Sequence, residues 1–342
     1  MTFWSTCLMF ALATGAAFAQ TSEIRPHQTT LIFAGDTTLD STPGTLIKRG
    51  LDPFKSFSPL FAAADIRLLN LECVVATTGQ AVPKHYTFRA APRVLHTLRR
   101  HVDGVTLANN HSGDYGRQAF AEMLALLARN NIAQAGGGMN LGEAHTPWIV
   151  ERNGIRIAIL SYNEFMPRSY EAGSQTPGVA WSEDEQVVDD IRRARHLYQA
   201  DIVLPFMHWG WENEPKANLR QRQLAKKMID AGADAVIGGH PHVTQDLEFY
   251  KSKPIIYSVG NFIMKETDND AQRVGWVLRL KLEKTGVHGF DTHVARINRQ
   301  GVPSYDKKTP SPCWTSAWHQ ERMCLAGDPV SHESKGTSSV FR

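Results

Sequence analysis

Residues 233–245 read ADAVIGGHPHVTQ, and this stretch gives the first indication of the fold. Its short aliphatic run at 235–237 predicts a buried strand, and two glycines then lead into His240, Pro241 and His242. In an extended or turn segment, two histidines that lie two residues apart can point toward neighbouring subsites, and the proline stiffens the link between them. Reactive side chains directly after a strand are typical of an open α/β sheet, where functional groups gather at the carboxyl ends of the strands.

Similar runs recur along the chain and alternate with segments of helical periodicity, which predicts an α/β fold. Further strands are predicted at 30–34, 66–71, 104–107, 155–161, 202–207 and 255–259, and amphipathic helices at 118–130, 184–199 and 219–231. An alternating pattern over 274–297 predicts antiparallel strands at the sheet edge. Because nothing between about residues 30 and 290 resembles a linker, we expect one continuous domain over 28–298.

Polar side chains that could bind metal or substrate follow most of the predicted strands. They are Asp36 in FAGD, Asn70 and Glu72 in LLNLE, Asn109, Asn110 and His111 in LANNHSGDYG, Glu164 in SYNE, His208 and Glu212 in FMHWGWENE, and Asn261 in YSVGNF. Any one of them could cap a helix, close a turn or form an ordinary hydrogen bond. Together, an Asp, a Glu, an Asn and three His, each at the end of an apolar run, form a mixed oxygen and nitrogen ligand set. This set suits Zn²⁺, Mn²⁺ or Fe and contains too much imidazole to favour Ca²⁺ or Mg²⁺. We therefore expect one or two divalent ions here.

The composition of this 342-residue chain, 42% hydrophobic and 21% charged, is that of a folded globular protein. Its net charge of +3 is small and its basic residues are interspersed with acids, so no nucleic-acid partner is predicted. The first 20 residues are uncharged and largely apolar and contain Ala17-Phe18-Ala19, which predicts a signal peptide over 1–19 and export to the periplasm or the extracellular space. Because no Lys or Arg precedes the apolar run, an uncleaved membrane anchor within residues 1–20 is the alternative.

The segment after Arg299 is rich in Pro, Ser and Lys, which predicts an extended, partly disordered extension over 299–342. A disulfide between Cys313 and Cys324 would tie it to the domain in an oxidising compartment, together with nearby tryptophans. Cys73 follows an apolar run and is expected to be a buried small hydrophobic residue rather than a nucleophile.

In these residues the sequence resembles the CapA family of capsule or poly-γ-glutamate synthesis proteins, which has the calcineurin-like metallophosphoesterase fold. The motifs run in order from about Thr30 to Ile263: FAGDTTLD, NLE, YTFRAAP, LANNHSGDYG, GGGMNLGEA, NGIRIAILSYNE, HWGWENEP, RQRQLAKKMIDAGADAVIGGHPHVTQ and YSVGNFI. The resemblance implies a four-layer α/β/β/α sandwich with the metal site at the sheet edges. The segment after Arg299 is not covered by these motifs.

The resemblance also implies roles for the strand-end residues. The metal ligands would be Asp36 for the first ion, Glu72 at the bridging position, Asn110 and His208 for the second ion, and His240 with His242 as the closing pair. His111, next to Asn110, would be the general acid that protonates a leaving group. The sequence departs from the usual phosphoesterase pattern at Thr38, where those enzymes have histidine, and at Glu72, where they have aspartate.

The function that the resemblance implies is an exported metal-dependent hydrolase that cleaves an amide or ester bond in an anionic envelope polymer such as poly-γ-glutamate. It would work beside membrane-bound synthesis or export machinery. The alternatives are a non-catalytic accessory or binding subunit for synthesis, export or anchoring of that polymer, and a phosphoesterase, which Thr38 disfavours. The residues near the motifs assigned to substrate binding are Lys84, Arg89, Glu164, Glu212 and Asn261.

Overall fold

The computed structural model of the protein describes Met1 and residues 28–264, 267, 269–318 and 320–326. Apart from Met1, the predicted signal peptide at 1–19 lies outside these described residues, as do residues 327–342 of the predicted extension. Within the described ranges, no helix is both long enough and apolar enough to cross a membrane.

The chain forms twenty described strands and seven described α-helices. The strands are β1 (Thr29–Thr37), β2 (Ile66–Leu71), β3 (Val74–Val75), β4 (Arg89–Ala90), β5 (Gly104–Thr106), β6 (Ala133–Ala135), β7 (Gly137–Gly138), β8 (Trp148–Arg152), β9 (Ile155–Asn163), β10 (Gly178–Val179), β11 (Ile202–His208), β12 (Val236–Gly239), β13 (Leu247–Tyr250), β14 (Lys253–Ile256), β15 (Asn261–Ile263), β16 (Val274–Glu283), β17 (Gly286–Ile297), β18 (Pro303–Asp306), β19 (Ser311–Thr315) and β20 (Arg322–Cys324). The helices are α1 (Ser41–Lys48), α2 (Ser58–Ala62), α3 (Val94–Leu98), α4 (Gly116–Arg129), α5 (Leu141–Ala144), α6 (Asp184–His196) and α7 (Leu219–Ala231).

Most of the strands belong to two large sheets. The first has the order β20-β19-β17-β16-β1-β2-β5-β6, with β15 beside β1 and β18 beside β17, and the second has the order β13-β14-β12-β11-β9-β8. Strands β1, β2 and β5 are parallel to one another, and so are β9, β11, β12 and β14. Each sheet therefore presents the carboxyl ends of several strands at one edge, where loops can carry functional side chains.

The two sheets pack face to face, and helices cover their outer faces. Side chains on β1 alternate between the two directions: Leu31 and Phe33 belong to the core between the sheets, whereas Ile32 and Ala34 pack with helices α1 to α4. Phe33 stacks on Phe206 of the second sheet with ring centroids 4.6 Å apart. Helices α6 and α7 pack on the outer face of the second sheet. The four-layer α/β/β/α sandwich is therefore confirmed.

The predicted core elements agree closely with the structure, and two details differ. The strand predicted at 66–71 is β2, and the helix predicted at 219–231 is α7. The strand predicted at 255–259 ends earlier, at Ile256, and β15 begins at Asn261. The placement of 274–297 at the sheet edge is wrong, because β19 and β20 continue the sheet beyond β17.

The expectation of an extended appendage after Arg299 is also wrong for residues 303–324. Strands β18 and β19 pair with β17, and β20 pairs with β19, so this segment is part of the first sheet. The predicted disulfide between Cys313 and Cys324 is present, with a Cα–Cα distance of 5.9 Å. Cys73 is a free, buried cysteine, as expected. Strands β18, β19 and β20 are too short for an alternation of polar and apolar residues to be recognised. The domain boundary at Arg299 was therefore predicted from composition alone, which placed it too early.

Trp314 tests whether this segment contributes to the fold. Its ring is 4% exposed and packs 5.0 Å from Phe249 and 6.2 Å from Phe290, measured between ring centroids. Replacement of Trp314 by Ala should lower the free energy of unfolding by about 3–5 kcal/mol, because it leaves a cavity in the core. Urea denaturation measures the change. The control is Met323→Ala on β20, whose side chain is 64% exposed and whose loss should have little effect; equal effects of the two variants would contradict the packing.

Candidate metal centre

Strand ends from both sheets bring the predicted ligands to one place. Asp36 lies on β1 where its register with β2 shifts, and Glu72 directly follows β2. His208 is the last residue of β11, and His240 directly follows β12 in the same sheet. These four side chains are fully buried. The fold thus concentrates two carboxylates and two imidazoles away from the surface of the protein.

The ligand atoms form two groups that share one carboxylate. Glu72, His208 and His240 form the first group, and Asp36, Glu72 and His242 form the second, with the ligand atoms of each group within 4.8 Å of one another. Glu72 Oε1 lies 3.4 Å from His208 Nε2 and 3.8 Å from His242 Nε2. A carboxylate between two ligand groups is the arrangement that a bridging ligand of a two-metal site requires.

Unpaired polar atoms in this cluster fit a bound cation. Both carboxylate oxygens of Glu72 and the Nε2 atom of His240 are buried without a hydrogen-bond partner in the described part of the chain. An uncompensated buried carboxylate costs several kcal/mol, so native proteins pair it or use it to coordinate a metal. The residues present therefore fit a divalent ion of the Zn, Mn or Fe type, which when bound would supply Lewis acidity and an activated water.

Asn110 adds an amide oxygen to the first group. Its Oδ1 atom lies 2.7 Å from His208 Nε2, and the residue is 3% exposed. A neutral oxygen beside carboxylate and imidazole ligands is compatible with the mixed donor sets of transition-metal sites. The structure thus brings together all six residues predicted as metal ligands.

A network of amides behind the cluster orients the ligands. Asn70 Nδ2 donates to Asp36 Oδ1 at 2.8 Å and lies 3.3 Å from His208 Nδ1. The side-chain oxygen of Asn70, Oδ1, in turn accepts hydrogen bonds from Asn109 Nδ2 and Thr106 Oγ1. Because each amide is fixed by a further partner, the first carboxylate and the first imidazole are held in one orientation.

The backbone of the HPH segment has an unusual conformation that separates its two imidazoles. His240 and His242 have φ values of 91° and 58°, in the left-handed region that residues other than glycine rarely adopt. The backbone N–H of His240 donates to Asp36 Oδ2 at 2.9 Å. A Cβ atom on Gly239 would lie 2.6 Å from Asp36 Oδ1, so only glycine lets the chain approach the carboxylate this closely.

Burial and mutual charge determine which ligands carry protons. Burial and the charges of His208 and His242 hold the pKa of His240 well below its ordinary value, so this imidazole is neutral. Burial also acts to lower the pKa of His242, but the Glu72 and Asp36 carboxylates outweigh it and raise that pKa to about 10. Burial raises the pKa of Asp36, yet its hydrogen bond to His242 and the charge of His208 leave it below its ordinary value. Asp36 therefore stays ionised beside a protonated His242.

His111 lies beside the cluster and is held by a buried carboxylate. Its Nδ1 atom is 2.7 Å from Asp114 Oδ2, and its Nε2 atom is 4.0 Å from Glu72 Oε1. Asp114 also accepts from Lys84 Nζ at 2.9 Å and from the backbone N–H of Phe88 at 2.8 Å. This environment favours the imidazole with a proton on Nδ1, so the other nitrogen faces the ligand cluster.

The residues predicted to bind substrate occupy different places. Lys84 contacts the cluster through Asp114 and the Asn110 carbonyl, and Asn261 Oδ1 lies 2.9 Å from His242 Nδ1, so Asn261 orients a ligand. Glu164 is paired with Arg220. Glu212 is exposed on the loop after β11.

Arg89 is not brought to the metal centre. Its guanidinium donates to the carbonyls of Thr78 and Gly79 at 3.2 Å and lies over the ring of Tyr115. The motif that contains Arg89 is close to the other motifs along the chain, but the side chain points to the segment of Thr78 and Gly79.

Asp114 is a site residue that the sequence analysis did not single out. It lies three residues after His111 within the motif LANNHSGDYG. A carboxylate so close to a candidate general acid is the feature of the sequence that could have indicated its role. Phe165 was also missed: its ring lies 3.9 Å from the His240 imidazole, and no sequence pattern indicates that contact.

Comparison with known proteins identifies the family. A family model described as "Bacterial capsule synthesis protein PGA_cap" matches residues 30–266, more than half of the chain. The chain belongs to the PGA_cap family. The matched range contains every candidate metal ligand from Asp36 to His242.

Relatives and solved structures agree with this assignment to the PGA_cap family. The chain is 30% identical over 325 residues to the "PGA biosynthesis protein CapA" of Bacillus subtilis (strain 168), covering 88% of this chain and 80% of that protein. It is 33% identical over 164 residues to the "Capsule biosynthesis protein CapA" of Bacillus anthracis, covering 47% of this chain and 40% of that protein. A hypothetical protein from Thermus thermophilus has a similar fold, with a TM-score of 0.51 and 16% identity over 78% of this chain and 98% of that one. The resemblance to CapA proteins is confirmed.

The shared carboxylate makes a specific prediction about metal content. Because Glu72 belongs to both ligand groups, Glu72→Gln should abolish binding of both ions, whereas His240→Ala should remove only the ion of the first group. Glu72→Gln keeps the size and shape of the side chain, so circular dichroism should show that the metal-free variant is folded. Elemental analysis of purified protein loaded with Zn, Mn or Fe measures the content, and exposed His196→Ala is the control. A Glu72→Gln variant with full metal content would contradict the assignment.

Metal binding should release a proton from His242. This imidazole is protonated up to about pH 10 in the metal-free protein, and coordination requires the neutral form. The apparent metal affinity should therefore fall as the pH is lowered from about 10 toward neutrality. Calorimetric titrations in two buffers of different ionisation enthalpy measure the released protons, and His242→Ala should release fewer. Identical proton release by wild type and variant would show that His242 is not a ligand.

Proposed function

We propose that this PGA_cap protein is a metal-dependent hydrolase that cleaves an amide or ester bond in an anionic polymer of the cell envelope, such as poly-γ-glutamate. The observation that carries this proposal is the pair His111 and Asp114 beside the ligand cluster, with His111 Nε2 4.0 Å from Glu72 Oε1. A site that only binds a metal or a polymer does not need a buried carboxylate that orients an imidazole toward the ligands.

The proposal gives each of these side chains a role. Asp114 Oδ2 accepts a hydrogen bond from the Nδ1–H group of His111 and would stabilise the positive charge of the protonated imidazole. His111 can then donate its Nε2 proton to the nitrogen or oxygen that leaves as the scissile bond breaks, while the water oxygen bonds to the acyl carbon and becomes the second oxygen of the new carboxylate, and a proton lost by that water restores the proton on His111. Lys84 binds the second oxygen of Asp114 and keeps the carboxylate in place.

The polymer is proposed from the relatives. The Bacillus subtilis relative is named as a PGA biosynthesis protein and the Bacillus anthracis relative as a capsule biosynthesis protein. A polymer of that kind lies at or beyond the cell surface. Together with the apolar segment that ends in Ala17-Phe18-Ala19, this supports export to the periplasm or the extracellular space, by a cleaved signal or a retained anchor.

An accessory role in polymer synthesis, export or anchoring is the second candidate, and Thr38 favours it. A threonine at position 38 adds no imidazole to the ligand cluster, and its hydroxyl lies 3.8 Å from Met264 Sδ. Fewer ligands weaken one metal subsite, and a weakly loaded centre could hold a polymer without cleaving it.

The two candidates differ in the effect of His111→Ala. For a hydrolase, this variant should retain its metal content and lose about 10²–10⁴-fold in rate, because only the proton donor is removed. The rate is measured as new amino ends released from poly-γ-glutamate by metal-loaded protein, with ester and phosphoester substrates in parallel. Asp114→Asn should also slow the reaction, since it leaves His111 without its carboxylate.

His196→Ala on the exposed side of α6 is the matched control and should keep full activity. Polymer binding without cleavage by metal-loaded wild type would exclude the hydrolase and support the accessory role. Cleavage of the phosphoester alone would identify a phosphoesterase.

A further inference from the structure

A basic cleft lies at the end of the strands opposite the metal centre. Its volume is about 480 Å³, and it is lined by Arg99, Arg100, Val102, Asp103, Asn130, Asn131, Trp148, Val150 and Arg152. The lining comes from the segment between α3 and β5, from the end of α4 and from β8. Strands β6 and β8, which border this region, are the last strands of the two sheets, so the cleft follows the seam between them.

The acidic groups near the cleft are already neutralised. Arg67 forms a two-pronged ion pair with Asp103, through Nε at 3.0 Å and Nη2 at 2.8 Å. Asp52 pairs with His101 at 2.8 Å and with Arg100 at 3.3 Å. Both carboxylates therefore have a cationic partner on their own side of the protein.

Two guanidinium groups remain available for a ligand. Within the described residues, Arg99 and Arg152 form no ion pair; Arg99 lies 3.5 Å from His96 Nδ1, and Arg152 donates to the carbonyl of Glu151. Both residues are exposed. Guanidinium groups bind carboxylates through two parallel hydrogen bonds, so two of them in one cleft can hold two carboxylates of one chain.

Trp148 gives the cleft a fixed apolar wall. A Cβ atom on Gly104 would lie 2.5 Å from the Trp148 ring, which shows that the ring packs directly on the backbone of β5. An indole held in this way offers a flat surface to methylene groups without losing further conformational freedom. The combination of a flat apolar wall and forked cations suits a polymer with carboxylates on short aliphatic spacers.

The Lys and Arg side chains around the metal centre are already engaged. Lys84 is bound to Asp114, Arg89 donates to two backbone carbonyls, and Arg220 pairs with Glu164 and Asp184. A polyanion needs cations that are not already paired. The basic cleft provides them at a distance from the ligand cluster.

We propose that the cleft of Arg99, Arg152 and Trp148 is a second binding site for a carboxylate-bearing polymer, separate from the metal centre. Arg67 near the cleft and Glu72, which directly follows β2, are five positions apart along this extended segment, or about 17 Å. A long chain can occupy both sites at once and gain affinity from the linkage, whereas a short oligomer reaches only one. The identity of the polymer rests on the proposed function, but the binding itself does not depend on catalysis.

The experiment compares the affinity for the polymer of two double variants, each of which loses two arginines and therefore two positive charges. Labelled poly-γ-glutamate is titrated with full-length, metal-loaded His111→Ala protein, which leaves the polymer uncut, and fluorescence anisotropy reports binding. Adding Arg99→Ala and Arg152→Ala should weaken binding of the long polymer roughly tenfold, because two charge-assisted contacts are lost. Adding Arg192→Ala and Arg193→Ala, two exposed arginines on α6, should change it less than about twofold.

Each outcome decides one question. Equal weakening by the two pairs, or no weakening by the first, would overturn the second site. Tighter binding of polyphosphate than of poly-γ-glutamate at equal charge would overturn the carboxylate assignment. A wild-type protein that binds the polymer but does not cleave it would reject the hydrolase. If Arg99→Ala and Arg152→Ala together then abolish that binding, the second site in the cleft is supported on its own. A short oligomer of glutamate should lose less affinity than the long polymer in the cleft variant, because it gains nothing from linkage of the two sites.

Discussion

The buried carboxylate of Glu72 is the constraint on which the rest of the site depends. Neither of its oxygens has a hydrogen-bond partner in the described chain, although the side chain is fully buried. A lone anion in such a place opposes folding, and the sandwich tolerates it because His208 and His242 stand on either side of it. A protonated His242 partly offsets the charge, and a divalent cation would offset it fully. Folding and metal binding are therefore expected to be coupled at this residue.

The two-sheet architecture is what allows one carboxylate to serve two ligand groups. Glu72 comes from the first sheet, whereas His208 and His240 come from the second. The stacked rings of Phe33 and Phe206 fix the spacing of the sheets immediately beneath the site. Close packing makes that spacing rigid, so ligands from separate strands keep their positions before any ion arrives.

Much of the site could be predicted from the sequence because its ligands directly follow buried strands. A strand has a strong local signal, and parallel strands place their carboxyl ends together, so Asp36 could be grouped with Glu72, and His208 with His240, without knowing the tertiary structure. The packing that brings the two pairs together is a tertiary property of the two sheets. The orientation of a long side chain has no such signal, since Arg89 turns to the carbonyls of Thr78 and Gly79. Strands as short as β18 to β20 are stabilised by the sheet they join, so their pairing is a tertiary effect that composition cannot reveal.

The absence of a histidine at position 38 makes the two ligand groups unequal, and this inequality bears on catalysis. The first group has four donors, Glu72, His208, His240 and Asn110, whereas the second has Asp36, Glu72 and His242. Four protein ligands close a tetrahedral site, but three leave a position open for water or substrate. The Thr38 hydroxyl lies 3.8 Å from Met264 Sδ, and a threonine at this position offers no imidazole to the second group. The departure from the phosphoesterase pattern would thus lower metal affinity at one subsite and leave there the open position that the proposed hydrolysis would require, with His111 on the adjoining side of Glu72.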